Sequence, residues 1–256
     1  MQGIVAHKLD NHATGPESLF LTTFFQALSA AGVRYAVMRN YESLPYSTGG
    51  SDLDILISPG DHTKVRSILF QSIQKTSAVP VGVAETVGFF KVYFLGRPVP
   101  NASCWWGLKV DLNFGLFFKG VPLASNSLLD SAYTYNRVSV LPHGIAGVLG
   151  VLKEILNNND MPLRYHHDAR ESAKSNWESV RRALFPMGEK ALDLLYALIT
   201  REHDEKSLKT QCRRLRGAIM LHAFKQYPIG VMKRRFVFEW SKVIRFFRPP
   251  GAMIAI

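Results

Sequence analysis

The sequence has 256 residues, 47% of them hydrophobic, and a formal charge of +11. The apolar fraction supports a packed core and excludes wholesale disorder, and the length fits one large domain or two modest ones. Only Cys104 and Cys212 are present, with no metal-ligand spacing around them, which excludes a disulfide scaffold and makes a reducing, cytoplasmic setting the simplest expectation.

Leu19 to Val33 is apolar and ends in small residues, like the core of a secretory signal. The region before it argues otherwise. It is polar, holds Asp10 and Glu17 close to the apolar run, and has Lys8 as its one firm positive charge. Pro16-Glu17-Ser18 reads as a helix start, so an amphipathic first helix is expected. No stretch has the uninterrupted apolar length of a membrane span. Arg34 to Met38 is predicted as a strand, Arg39 to Gly50 as a loop and Asp52 to Ile57 as a second strand. Pro59-Gly60-Asp61 punctuates, and Asp61 is placed to cap a helix running to about Lys75. Gly88 to Leu95 and Trp106 to Phe114 predict two more strands, separated by a turn from Gly96 to Ser103. Near Pro142 the strand signals stop. Ile145–Asn157, Tyr165–Leu184, Glu189–Thr200, Lys206–Gln226 and Val231–Phe247 all repeat apolar residues at three- and four-residue steps. The expected plan is α+β: strands and helices over residues 1–141, then an all-helical domain over 142–248.

The most informative stretch is Gly49-Gly50-Ser51-Asp52-Leu53-Asp54-Ile55-Leu56-Ile57. On a strand, residues two apart face one side, so Asp52 and Asp54 point together while Leu53, Ile55 and Ile57 enter a core. Paired carboxylates repel unless a cation sits between them, and a hard divalent ion answers this while leaving positions for phosphate oxygens. The later strand places Lys109, Asp111 and Asn113 on one face, within reach of a phosphate or ribose; Lys91 is a weaker candidate of the same kind.

This order of helix, strand, loop, Asp-x-Asp strand and a later strand with a lone Asp resembles the nucleotidyltransferase superfamily of the polymerase-β type. Asp52-Leu53-Asp54-Ile55 matches its paired-carboxylate motif, Ser51 the serine that often precedes it, and Asp111 its third carboxylate. The resemblance covers roughly Leu19 to Phe118 and implies a nucleotidyltransferase-type mixed sheet with flanking helices. It also implies Mg²⁺ or Mn²⁺ held by Asp52, Asp54 and Asp111, a nucleoside triphosphate as substrate, and a small hydroxyl or phosphate as acceptor. Arg39, Asn40, Gly50, Ser51 and Lys109 become candidate phosphate contacts. Arg39-Asn40 stands where the superfamily usually keeps a Gly-Ser or Gly-Gly pair. A site repurposed for non-catalytic binding of a nucleotide or sugar phosphate therefore stays open.

Other features have competing readings. Arg164 to Arg170 contains His166 and His167, but adjacent histidines do not share a helix face and no third ligand follows. Lys153, Tyr165 and Arg170 are candidate nucleotide contacts of the helical domain by the same resemblance. Trp105-Trp106 reads as core or interface. Arg201 to Arg248 holds 13 basic and 4 acidic residues, which suits solvated helix faces or a peripheral membrane contact; nucleic acid is the disfavoured partner. The mixed basic and aromatic run from Val231 to Arg248 is read as a connector helix ahead of Pro249-Pro250-Gly251 and an apolar tail. Residues 249–256 resemble the first strand of a P-loop, thymidylate-kinase-like domain, without its phosphate loop. Some bacterial proteins pair such a kinase with a nucleotidyltransferase-like domain, often in surface-polysaccharide contexts.

Overall fold

The computed structural model describes residues 15–86, 88–97, 105–161 and 163–247. Asp10, Cys104 and the 249–256 segment lie outside these, as do the side chains of Tyr165, His166 and Asp168. In chain order the elements are α1 (Pro16–Ala30), β1 (Tyr35–Val37), β2 (Leu53–Ile57), α2 (His62–Lys75), β3 (Ala78–Thr86), β4 (Phe89–Gly96) and β5 (Trp106–Asn113). Two short strands, β6 (Phe117–Phe118) and β7 (Val121–Pro122), and the single turn α3 (Ser127–Asp130) come next. After β8 (Tyr133–Tyr135) and β9 (Val138–Val140) the described chain is helical: α4 (His143–Asn158), α5 (Leu163–Ala183), α6 (Glu189–Thr200), α7 (Glu205–Gln226) and α8 (Pro228–Phe247). The chain is thus α+β.

The described residues divide into two compact units. The first comprises 15–114, 134–140 and 245–247, the second 115–133 and 141–244. The first unit is built on a seven-stranded sheet in the order β3-β4-β5-β2-β1-β9-β8. It is mixed: β1 runs antiparallel to β2, β2 parallel to β5, β1 parallel to β9, and β4 antiparallel to both β3 and β5.

Alternation along the strands decides where the core lies. Leu53, Ile55 and Ile57 of β2, Val110 and Leu112 of β5, and Phe90, Val92 and Phe94 of β4 are buried in one cluster with Phe20, Phe24, Val65 and Leu69 from α1 and α2. Phe20 sits 4.7 Å from Phe94, centroid to centroid, and Phe94 meets Trp106 edge-on at 5.6 Å. Trp106 is therefore partly buried and packs against the core, while Trp105 beside it is exposed. Asp61 forms part of a 3-10 turn and makes no side-chain cap to α2; its carboxylate pairs with Lys64 at 3.3 Å instead.

The second unit is held by helix packing, with close approaches at two glycines. A Cβ on Gly144 of α4 would meet Asn176 Nδ2 at 2.9 Å, at the point where α5 departs from helical geometry. Gly120, with φ +85°, lies against the α8 backbone, where a Cβ would stand 2.9 Å from the Arg235 nitrogen. Asp204 caps α7 by accepting from the Ser207 amide at 2.8 Å. Among the described residues no helix is long and apolar enough to cross a membrane.

Candidate functional site

Because Leu53, Ile55 and Ile57 face α1 and α2, Asp54 faces the other way. The parallel register sets Asp54 opposite Asp111 and Leu53 opposite Val110. On the far side of β5, β4 sets Lys91 opposite Asp111 and Tyr93 opposite Lys109. Asp54, Asp111, Lys109, Asn113 and Lys91 therefore share the sheet face turned away from α1 and α2, with Asp52 at the mouth of β2.

Asp54 and Asp111 are each 3% exposed. Adjacent strands lie about 4.8 Å apart, a separation at which two unit charges repel by about 3.5 kcal/mol at an effective dielectric of ~20. Basic side chains offset this. The Met38 amide donates to the Asp54 carbonyl at 2.9 Å, which keeps the chain beside β2 one residue beyond β1. Arg39 consequently lies over Asp54, with Nε and Nη2 both 2.6 Å from Oδ2. Lys109 donates to Asp52 and stands 3.5 Å from Asp111 Oδ2. Lys91 approaches the same Asp111 oxygen at 3.7 Å. Three carboxylates thus meet three cations. Burial lowers the pKa of the Lys109 ammonium, but the hydrogen bond to Asp52 and the charges of Asp111 and Asp52 outweigh it, and the net shift is upward. Asn113 braces the same strands, its Nδ2 donating to the Ile55 and Asp111 carbonyls at 3.3 and 3.4 Å.

The loop before β2 has its own support. Glu17, in the first turn of α1, accepts from the Thr48 amide at 2.7 Å and the Thr48 hydroxyl at 2.8 Å, and the Ser47 hydroxyl reaches it at 3.3 Å. This clamp fixes the approach to Gly49 and Gly50, whose φ values of +63° and +79° favour glycine. Ser51 spends its backbone amide on the Thr48 carbonyl at 3.2 Å. Asn40 adopts φ +54°, a left-handed position that asparagine tolerates, and is exposed. Glu17 was not among the sequence candidates; its place two residues before an apolar helical run signalled a helix start and nothing more.

The sequence candidates of the second unit have local positions. Arg170 donates from Nε and Nη2 to the Thr200 carbonyl at 3.2 and 2.9 Å, which ties down the end of α6. Lys153 and His167 are exposed on α4 and α5. Cys212 is buried, and burial raises its thiol pKa.

The donor chemistry of Asp52, Asp54 and Asp111 suits a hard divalent ion: carboxylate oxygens on one sheet face, two of them on register partners. As they stand, their oxygens meet Arg39, Lys109 and Lys91. Among the described residues no group of three or more His, Cys, Asp or Glu side chains is arranged to hold a metal. An ion shared by these carboxylates would require them to converge and the basic groups to move. No protein-family model matches the sequence, and no curated protein or solved structure matches it significantly.

Proposed function

We propose that this chain is a nucleotidyltransferase of the polymerase-β type, which moves a nucleoside monophosphate from a triphosphate to a small hydroxyl or phosphate acceptor. The observation that carries the reading is the register pairing of Asp54 with Asp111 on adjacent parallel strands, with Asp52 two residues before Asp54. Asp52, Asp54 and Asp111 would hold Mg²⁺ or Mn²⁺, and the bound ion supplies charge neutralisation at the triphosphate and a lowered pKa at the acceptor hydroxyl.

The remaining residues have roles that follow from their chemistry. Arg39, once freed from Asp54, offers a planar pair of donors to phosphate oxygens. Lys109 offers a mobile ammonium on the same face. The Ser51 hydroxyl and the backbone at Gly50 stand just before β2, beside Asp52, and would donate to phosphate oxygens there. Asp54 and Asp111 are buried, and the low local dielectric strengthens their hold on any cation that replaces the basic groups.

A second reading is favoured by the ion pairs themselves. Arg39 with Asp54, Lys109 with Asp52 and Lys91 with Asp111 neutralise the cluster without metal. Such a site suits a non-catalytic module that binds a nucleotide or sugar phosphate through its basic groups.

Calorimetry separates the two. ATP, CTP, GTP and UTP are titrated with and without Mg²⁺ into the wild type and the Asp52→Asn/Asp54→Asn double variant. The transferase reading expects binding of at least one triphosphate that needs Mg²⁺ and is lost in the variant. Binding indifferent to Mg²⁺ replaces it with a nucleotide-binding module, and absence of all triphosphate binding removes the transferase and restricts the module to sugar phosphates.

A further inference from the structure

The charge of this chain is concentrated in one segment. Of its 31 basic and 20 acidic residues, Lys206 to Arg248 holds twelve and one, which leaves nineteen of each elsewhere. The segment from Lys206 to Arg248, which covers nearly all of α7 and all of α8, therefore carries a net charge of +11, equal to that of the whole chain.

α8 has two unlike faces. One side holds it to the second unit: Val231 is fully buried, and Arg234 Nε donates to the Gly120 carbonyl at 2.7 Å. The opposite side carries Ile229, Met232, Phe236, Trp240 and Val243, at steps of three and four that align them in one stripe. This stripe is open to solvent: Ile229 is 81% exposed, Phe236 68% and Trp240 53%. Phe236 and Trp240 stack on each other with centroids 6.0 Å apart. From Ile229 to Val243 the stripe runs about 21 Å at 1.5 Å per residue. Tyr227, at the junction with α7, is exposed beside its start. Lys225, Lys233 and Arg235 are exposed near or along the stripe, and Glu239 is the one acidic residue of α8.

An amphipathic helix that turns large apolar side chains outward between basic residues has the composition of an interfacial helix. We infer that α8 docks in the plane of an anionic lipid surface, with Ile229, Met232, Phe236, Trp240 and Val243 entering the boundary between headgroups and acyl chains and the neighbouring Lys and Arg residues meeting lipid phosphates. Charge selects this occupant over two others. A second copy would bring an equally basic segment against the first, and the two would repel. Nucleic acid would satisfy the charge but offers no apolar medium for Ile229, Met232 and Val243.

The test uses the whole chain and lipid vesicles of phosphatidylcholine, with and without phosphatidylserine. Co-sedimentation is expected only with phosphatidylserine and is expected to weaken as salt rises. Brominated acyl chains are expected to quench tryptophan emission in the wild type, with the quenching lost in Trp240→Phe. Phe236→Ala/Trp240→Ala, at two exposed positions, is expected to leave the far-ultraviolet dichroism unchanged and to lower partitioning at least about tenfold. Four results overturn the inference: no binding to phosphatidylserine vesicles at low salt, binding unaffected by the double variant, a stable dimer that shields Trp240 from acrylamide in lipid-free solution, or duplex DNA competing fully with the vesicles.

Discussion

Removing the arginine that covers Asp54 gives the sharpest test of how the cluster is held together. Asp54 has a side chain only 4% exposed, and Arg39, 31% exposed, places two nitrogens 2.6 Å from one of its oxygens. Breaking a buried pair by deleting one partner costs about 3–5 kcal/mol, because the other charge stays behind. Water reaches Arg39, which reduces the expected loss to about 2–3 kcal/mol. For a chain of this size that loss lowers the melting midpoint by roughly 5–10 °C. Arg39→Met, Asp54→Asn and the double variant complete a thermodynamic cycle, read by urea denaturation. The double variant is expected to recover most of the loss, with a coupling of about 2 kcal/mol. Millimolar Mg²⁺ is expected to raise the midpoint of Arg39→Met more than that of the wild type, because the divalent ion then meets an uncovered carboxylate. Additive single effects, with coupling below about 0.5 kcal/mol, would refute the claim that Arg39 is the counter-charge of Asp54.

Other substitutions probe the surrounding supports. Lys109 has a raised pKa, so its ion pairing stabilises the fold fully below its ordinary value of 10.5 and loses that contribution as pH rises through the higher folded value. The stability gap between the wild type and Lys109→Gln, followed by chemical denaturation across pH, should persist through neutrality and close only above 10.5. Glu17→Ala leaves the Thr48 amide and hydroxyl without their charged acceptor and should cost about 2 kcal/mol; limited proteolysis should then cut first between Ser47 and Ser51. Gly120→Ala combines a positive φ with a Cβ 2.9 Å from the Arg235 nitrogen. Loosening of α8 relative to the wild type, read by hydrogen exchange, is the expected outcome.

Much of the site follows from a period of two. The alternation in Asp52 to Ile57 and in Trp106 to Asn113 already separates carboxylates from core residues, and the sheet places them as the alternation requires. The ion pairs were harder to read. Arg39 follows the end of β1, and its direction depends on the Met38 amide reaching the Asp54 carbonyl, a tertiary contact without a local signature. The expected helices of the second half lie close to those observed, because their apolar repeats are long.

Five strands have no counterpart among the expected elements: the two-residue β6 and β7, and three strands of the main sheet. β3 contains Pro80 and Gly82, which read as breakers; as an edge strand it accommodates both through a register shift between them. β8 and β9 are joined by Asn136-Arg137, both with positive φ, where a hairpin signal expects asparagine followed by glycine.

Asp52, Asp54 and Asp111 are proposed as the cation site of a bound nucleotide. Crystals grown with Mn²⁺ and a triphosphate, measured for anomalous scattering from manganese, test this directly. The predicted result is a manganese peak about 2.1–2.3 Å from oxygens of Asp52, Asp54 and Asp111, with Arg39 and Lys109 turned from their carboxylates to the phosphates. A nucleotide bound with no anomalous peak at these oxygens, and with the Arg39–Asp54 and Lys109–Asp52 pairs intact, would contradict it.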